Sequence, residues 1–391
     1  MQNNDYIYLD NASSTRIDDR VIEEMLPYIK DHYGNPSSVH QAGADAREGL
    51  ENARIKVADL IGADPEEIYF TSCGTESNNF ALTGITEANQ NKGKHIITSV
   101  IEHLSILNPL KELQRKGFEV TMVPVDKEGF VNPDDIKAAI RPDTILISIM
   151  HANNEIGTMQ KIREISKVAK ESGIIMHSDG VATAGIIPSN VKELGVDAFS
   201  FSSQQMYGPK GAAALYIKKG TRIRPFILGG VQERGRRAGT ENIPGIVGFG
   251  KACEIAKFEM EENAKKLIKL RDKLIKGIMD NIKEVTLNGS MESRLPGNVH
   301  VSFEYIEGES IVLFLNMQGI AVATGSSCAS QALKVSHVCT SIGLSHATAQ
   351  GSILFSIGKY NTDEDIEKVI EVLPPIIDKL RKMSPLYKGL I

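Results

Sequence analysis

Two hydrophobic rhythms alternate between residues 67 and 218. Short, nearly continuous apolar runs end in polar residues: EIYFTS (67–72), HIITSV (95–100), EVTMVPV (119–125), TILISIMH (144–151), GIIMHSD (173–179), AFSFSS (198–203) and AAALYIK (212–218). Their length and β-branched content predict strands. Between them lie stretches with helical spacing, namely ESNNFALTGITEANQ, LSILNPLKELQRKG, NPDDIKAAIR, KIREISKVAKESG and NVKELG. Strand alternating with helix predicts an α/β fold with a mainly parallel, seven-stranded sheet covered on both faces. Runs without polar interruption fit strands buried on both sides.

The rhythm changes after Gly248. FGKACEIAKFEMEENAKKLIKLRDKLIKGIMDNI is a long, charged, amphipathic helical stretch. A smaller α+β region follows, through VTLNG, NVHVSFEY, ESIVLFLNMQG, ILFSIGKY and DEDIEKVIEVLPPIIDKLRKMS. The expected division is a segment 1–15 packing with the small domain, a large α/β domain 16–260 and a small α+β domain 261–391. No internal repeat and no low-complexity tract interrupts it.

Composition narrows the partners. Hydrophobic residues at 41% and charged ones at 24% are an ordinary globular balance, so a large buried core is expected. The net charge of −5 is spread over both signs with no Lys/Arg-rich block, which argues against a nucleic-acid face. The stretch MQNNDYIYLD is polar and acidic, unlike a secretory signal. No apolar run is long enough to span a bilayer. The expectation is a cytoplasmic protein with neither nucleic-acid nor membrane partner. Four cysteines, Cys73, Cys253, Cys328 and Cys339, are too scattered for a disulfide scaffold, and no CxxC pair suggests a self-contained metal site.

In open parallel sheets, ligands bind beyond the carboxyl ends of the strands. Those ends carry Gly74, Thr75, His103, Asn154, Asp179 and Ser202 through Gln205. At Cys73-Gly74-Thr75 a helix start offers backbone N–H groups and a hydroxyl to an anion, while Thr75 and Ser77 are equally ordinary caps. Asp179 can pair with a protonated ring nitrogen or serve as a turn aspartate. His103 can stack on a ring or shuttle a proton, and a structural histidine fits as well. Asn154 can bond a ring substituent or shape a turn. Cys328, in TGSSCAS, sits in a Gly/Ser-rich loop where an exposed thiol can attack sulfur and carry it as a persulfide. Cys73 is expected to pack, as is Cys253 in GKACEIAKF, and Cys339 to lie on the apolar face of a short helix.

The ordered motifs YLDNASSTRIDDRV, GNPSSVHQAGADAR, FTSCGTESNN, TSVIEH, HANNEIG, YGPKGAAALY, RRAGTENIPGIVGFGKA, ATGSSCAS, FSIGKYNTDEDI and LRKMSPL together resemble the NifS/IscS-type cysteine desulfurases of the class V aminotransferase group. The resemblance covers nearly the whole chain. It implies the fold-type I architecture of pyridoxal-phosphate (PLP) enzymes and a homodimer with its active site at the interface. It also implies sulfur transfer from cysteine to an enzyme persulfide, then to a scaffold or acceptor protein of iron–sulfur assembly. By motif, Thr75 and Ser202 match phosphate-binding positions, His103 the ring-stacking histidine and Asp179 the ring-nitrogen partner. Asn154 matches the asparagine near the cofactor oxygen, and Thr240 the threonine lent across the dimer. Cys328 matches the persulfide cysteine.

Four positions depart from that pattern. Ser202-Ser203-Gln204-Gln205 stands where the resemblance implies Ser-x-His-Lys, so the phosphate-side histidine and the Schiff-base lysine are replaced. Ala182 stands for a glutamine that contacts the ring oxygen. Leu354, in Ile353-Leu354-Phe355-Ser356, stands for the arginine that grips the substrate carboxylate. An amide forms no imine, and leucine offers an anion only hydrocarbon. Any PLP is therefore expected to be held noncovalently. Three readings follow: a sulfur-metabolism protein that keeps Cys328 as persulfide carrier or as ligand of an iron–sulfur cluster shared with a partner; a weak desulfurase using noncovalent PLP; or a catalytically silent partner of a scaffold protein or active paralogue.

Overall fold

The computed structural model describes residues 6–325 and 335–387. The chain enters through a short strand, β1 (Ile7–Tyr8), and two helices, α1 (Asp19–Lys30) and α2 (Gln41–Ile61). The expected alternation follows: β2 (Ile68–Thr71), α3 (Gly74–Asn89), β3 (His95–Ser99), α4 (Leu104–Arg115), β4 (Glu119–Val123), α5 (Pro133–Ala139), β5 (Thr144–Ser148), α6 (Ile162–Glu171), β6 (Ile175–Asp179), α7 (Val191–Leu194), β7 (Ala198–Ser202) and β8 (Ala213–Ile217).

These seven strands form one sheet in the order β2-β8-β7-β6-β5-β3-β4. Pairing is parallel except at β8, which runs antiparallel to both β7 and β2. Neighbouring residues on one strand point to opposite faces. Ile97 and Ile147 therefore join the core beneath α2, while Ile96 and Leu146 join the core beneath α3 and α4. That double burial is why the runs are apolar without a break. β4 and β5 are shorter than their apolar runs because the last residues of the run leave the sheet, whereas β6 keeps its run's end, Asp179, as its last residue.

α8 (Ile243–Asn281) is one unbroken helix of 39 residues. It starts before the predicted stretch, where Asn242 accepts from the Gly245 N–H at 3.3 Å and Pro244 sits in the first turn. Its first half, with Phe249 and Cys253, packs in the core of the large sheet. Its second half, with Leu267, Leu270 and Leu274, packs in a separate core. Core membership changes between Ile255 and Leu267, inside a continuous helix.

That second core also takes residues from β9 (Val285–Leu287), β10 (Asn298–Phe303), α9 (Gly308–Asn316), β11 (Ile320–Ala321), β12 (Ser352–Ser356) and α12 (Asp363–Met383). α10 (His337–Ser341) packs instead through Val338 in a small cluster with Ile101, Met150 and Ile156, and α11 (His346–Gln350) leads into β12. β12, β10 and β9 form an antiparallel sheet. β1 pairs in parallel with β11, and the next residue, Leu9, is fully buried in the same core. No helix among the described residues is long and apolar enough to cross a membrane.

Candidate functional site

A cavity of about 370 Å³ opens beyond the carboxyl ends of β2, β5, β6 and β7. The large sheet contributes Gly74, Asn154, Asp179 and Ser202 to its wall, and the small domain contributes Leu354 and Ser356. Asn11, Ser13 and Thr15, from the segment after β1, complete the mouth.

Asp179 is buried at the end of β6. Its Oδ2 accepts from Asn78 Nδ2 at 2.7 Å and its Oδ1 from the Val181 N–H at 2.9 Å. Burial nevertheless holds the Asp179 carboxyl above the usual carboxylate range. Asn78 Nδ2 also donates to Ser105 Oγ at 2.8 Å, and Ser105 Oγ lies 2.7 Å from His103 Nδ1. A chain of polar contacts thus runs from the buried acid to the imidazole. His103 caps α4, with its Nδ1 accepting from the Ser105 N–H at 3.1 Å. In the neutral ring that leaves the proton on Nε2.

The residue before it, Glu102, is fully enclosed. Burial pushes its carboxyl up to about 8, against hydrogen bonds from Ser99 Oγ at 2.6 Å and the Met150 N–H at 3.1 Å.

The start of α3 faces the cavity without a side-chain cap. Cys73 is the capping residue and accepts no cap bond through its side chain. Ser77 Oγ is occupied elsewhere, 2.7 Å from the Thr71 hydroxyl and donating to the Ala214 carbonyl at 3.1 Å. The cap reading of Thr75 and Ser77 therefore does not hold, and exposed Thr75 stands beside a helix start suited to an anion. Glycine is needed here: a Cβ on Gly74 would lie 2.5 Å from Val181 Cγ2. Cys73 itself is exposed at the cavity edge, contrary to the expectation that it packs. Its extended backbone, φ −165° and ψ 167°, turns the side chain off the sheet before the helix begins.

Gln204 and Gln205 occupy a short 3₁₀ turn, Gln204–Met206. Ser202 Oγ donates to Gln205 Oε1 at 3.0 Å, so the amide rests on the hydroxyl that ends β7. The turn is pinned from the N-terminal segment: Thr15 Oγ1 donates to the Gln204 carbonyl at 2.5 Å and accepts from the Tyr207 N–H at 3.0 Å. Tyr207 sits in the left-handed region at φ 62°, a costly conformation for a bulky residue that these bonds sustain. Lys210, past the turn, does not line the cavity, and its Nζ donates to the Thr15 carbonyl at 3.4 Å.

The cavity gathers most of the expected residues: Gly74, Thr75, His103, Asn154, Asp179 and Ser202, together with Ala182, Gln204, Gln205 and Leu354. Leu354 is buried in the middle of β12. Thr240 is exposed and is not part of this wall. Cys328 lies outside the described residues. Cys253 and Cys339 are buried, as expected. Sequence reading passed over Asn78, Ser105 and Glu102. Asn78 had a usable signal, since it stands four residues after Gly74 and so on the same helix face.

The fold is that of the fold-type I PLP enzymes. The class-V aminotransferase pattern matches residues 7–369. A cysteine desulfurase IscS from Methanosarcina thermophila is 53% identical over 98% of this chain and 95% of that protein. Cysteine desulfurase IscS 1 from Archaeoglobus fulgidus is 52% identical over 97% of this chain and 99% of that protein. A solved NifS-like protein superposes with a TM-score of 0.90 at 41% identity, covering 96% of this chain and all of that one. The chain belongs to the class-V aminotransferases, in their NifS/IscS cysteine-desulfurase group.

Proposed function

We propose that this chain is a sulfur-handling protein of iron–sulfur metabolism that binds PLP without a covalent anchor and carries sulfane sulfur on Cys328. One observation carries the reading. The same cavity keeps Asp179, His103, Thr75 and Ser202 yet holds an amide at Gln205 and hydrocarbon at Leu354. The residues suit the cofactor in part. Asp179, whose burial raises the cost of its charge, gains from a cationic ring nitrogen; the open start of α3 with Thr75 and Ser202 suits a phosphate. When bound, the cofactor supplies an electron sink for chemistry at a substrate α-carbon. His103 lines the same cavity and bounds the ring space. No side chain at 205 offers an amine, and position 354 offers no cation to a carboxylate.

Sulfur then enters by exchange. The Cys328 thiolate attacks the outer sulfur of a small-molecule persulfide; the new S–S bond forms as the donor thiolate leaves with the electron pair. A scaffold or acceptor thiol reverses the step, and a homodimer is the form proposed to dock it.

Anaerobic protein is given cysteine with PLP, or a glutathione persulfide donor, and alanine and protein-bound sulfane sulfur are measured. The expected result is bound sulfur from the persulfide, lost in Cys328→Ala, with alanine at background. Rapid alanine release, or sulfur loading unchanged in Cys328→Ala, would sink the reading.

A further inference from the structure

Beside the cavity, on its small-domain side, three ligand-type side chains converge from distant parts of the chain. Glu155 follows β5, His300 is on β10 and Cys339 is on α10. One donor atom from each lies within 4.8 Å of the other two, and all three are enclosed. The Glu155 side chain is enclosed although the residue as a whole is half-buried. None of the three takes part in the sulfur chemistry proposed above.

The second observation is an unmet polar atom. His300 Nε2 is fully buried and has no hydrogen-bond partner among the described residues. A buried donor or acceptor left unpaired is costly unless something binds it. His300 Nε2 and Glu155 Oε2 face the same glycine: a Cβ placed on Gly325 would stand 2.7 Å from the first and 3.0 Å from the second, so only a residue without a side chain fits beside the pair. The ring is held from its far side by Asn288, whose Nδ2 lies 3.0 Å from His300 Nδ1 and 2.8 Å from Ser302 Oγ. Asn288 Oδ1 is the other buried atom in this group without a partner among the described residues.

We propose that Glu155, His300 and Cys339 form a binding site for a thiophilic divalent cation of the zinc type, tying the rim of the large domain to the small domain. Imidazole, thiolate and carboxylate form a donor set zinc accepts, with a fourth position left to water. Zinc held at about 2.0–2.3 Å from each ligand spaces the donor atoms roughly 3.5 Å apart. Side-chain rotation therefore has to draw the widest pair together by about 1 Å. Three protonation changes accompany binding. Cys339 releases its thiol proton to water, and Glu155 binds as carboxylate while Ser336 Oγ still donates to its Oε2. The His300 proton moves to Nδ1, where the Asn288 amide turns its oxygen to accept it, as orienting partners of metal-bound histidines do. Because the thiol must lose its proton to bind, affinity rises with pH.

The test strips full-length protein with chelator under reducing conditions and titrates it with Co²⁺, then Zn²⁺. One equivalent of Co²⁺ is expected to give tetrahedral absorption and a sulfur-to-metal charge-transfer band, both erased by one equivalent of Zn²⁺. Cys339→Ser abolishes the charge-transfer band, while His300→Gln and Glu155→Gln weaken binding at least about tenfold. Cys328→Ala and Cys73→Ala leave all of this unchanged. Cys339→His keeps the tetrahedral bands without the sulfur band, which separates loss of a ligand from loss of fold. The wild-type cobalt-edge spectrum is expected to show one sulfur neighbour among nitrogen and oxygen ones. No band in the wild type, a band that survives Cys339→Ser or vanishes in Cys328→Ala, or a first shell with no sulfur or several, overturns the proposal.

Discussion

At the scale of single residues, Gln205 is anchored on Ser202 Oγ and presents an amide to the cavity. An amide nitrogen is not nucleophilic toward an aldehyde, so pyridoxal phosphate treated with borohydride should leave no adduct at position 205. Gln205→Lys should gain the mass of the reduced cofactor there, read by peptide mass spectrometry. An adduct at 205 in the unaltered chain would contradict this account. Glu102 yields a second prediction. Burial raises its carboxyl to about 8 when folded, against the Ser99 and Met150 hydrogen bonds, with smaller contributions from Asp179 upward and His103 downward, and it returns to the ordinary range on unfolding. The fold therefore favours the protonated form. That contribution is complete below about pH 4.5 and is lost as pH rises toward 8, with a slope of at most about 1.4 kcal/mol per pH unit. Glu102→Gln keeps an oxygen for Ser99 and Met150 and removes the titration. Its melting temperature should gain on the wild type between pH 5 and 8, and parallel curves would refute the assignment. Asp179 and Asn154 were legible because each follows an apolar run at a strand end. Asn78 offered only its spacing from Gly74, since its partners Ser105 and Asp179 lie 27 and 101 residues away. Glu102 was not legible, because its enclosure and its bond from the Met150 N–H come from the fold. Cys73 was misread because a lone cysteine is ordinarily a small buried apolar residue, while here it precedes the first turn of α3 and is exposed.

At the scale of elements, the segment before α8 is held by one buried ion pair. Arg54, on α2, donates to both Glu233 oxygens at 2.8 and 2.9 Å, and Glu233 Oε2 also accepts from the Phe70 N–H at 2.8 Å. Both side chains are almost wholly enclosed, at 3% and 2% exposure, so neither charge has water to fall back on. Glu233 and Arg234 adopt left-handed backbone, φ 45° and 57°, which the pair stabilises. Glu233→Ala leaves the buried Arg54 guanidinium with only the half-exposed Glu51 carboxylate and the Ile68 carbonyl, and the Phe70 N–H without its acceptor, and should cost up to about 3–5 kcal/mol in urea unfolding. The double change Arg54→Met with Glu233→Leu should cost less than the single one, because it removes both buried charges. A single variant within about 0.5 kcal/mol of wild type would remove the ion pair from this role. The strands themselves were readable from hydrophobic period alone. The long course of α8 was readable in the same way; the sheet order and the antiparallel turn of β8 were not, since strand neighbours depend on which cores the segments share.

At the scale of the whole molecule, the cavity belongs to neither core alone. Gln205 comes from the large sheet, Leu354 from the small antiparallel sheet, and both line the same space. A change on one side leaves the other unmet. Gln205→Lys supplies an amine but nothing to hold an α-carboxylate; Leu354→Arg supplies a cation but no amine. An arginine–carboxylate fork in a desolvated wall is worth about 2–5 kcal/mol, while an arginine in the middle of β12 without its anion pays for its burial. The two changes are therefore expected to couple rather than add. Each single variant should release alanine from cysteine at the wild-type background. The pair should exceed it by about tenfold or more, with PLP present and Cys328 intact. Adding Ala182→Gln to the pair should raise PLP affinity further, because its side chain lines the same wall. If the pair stays at background while Gln205→Lys captures the cofactor at residue 205, the limit lies in the geometry between the two domains rather than in the two missing groups. The substitutions would then not by themselves account for the changed chemistry of this chain.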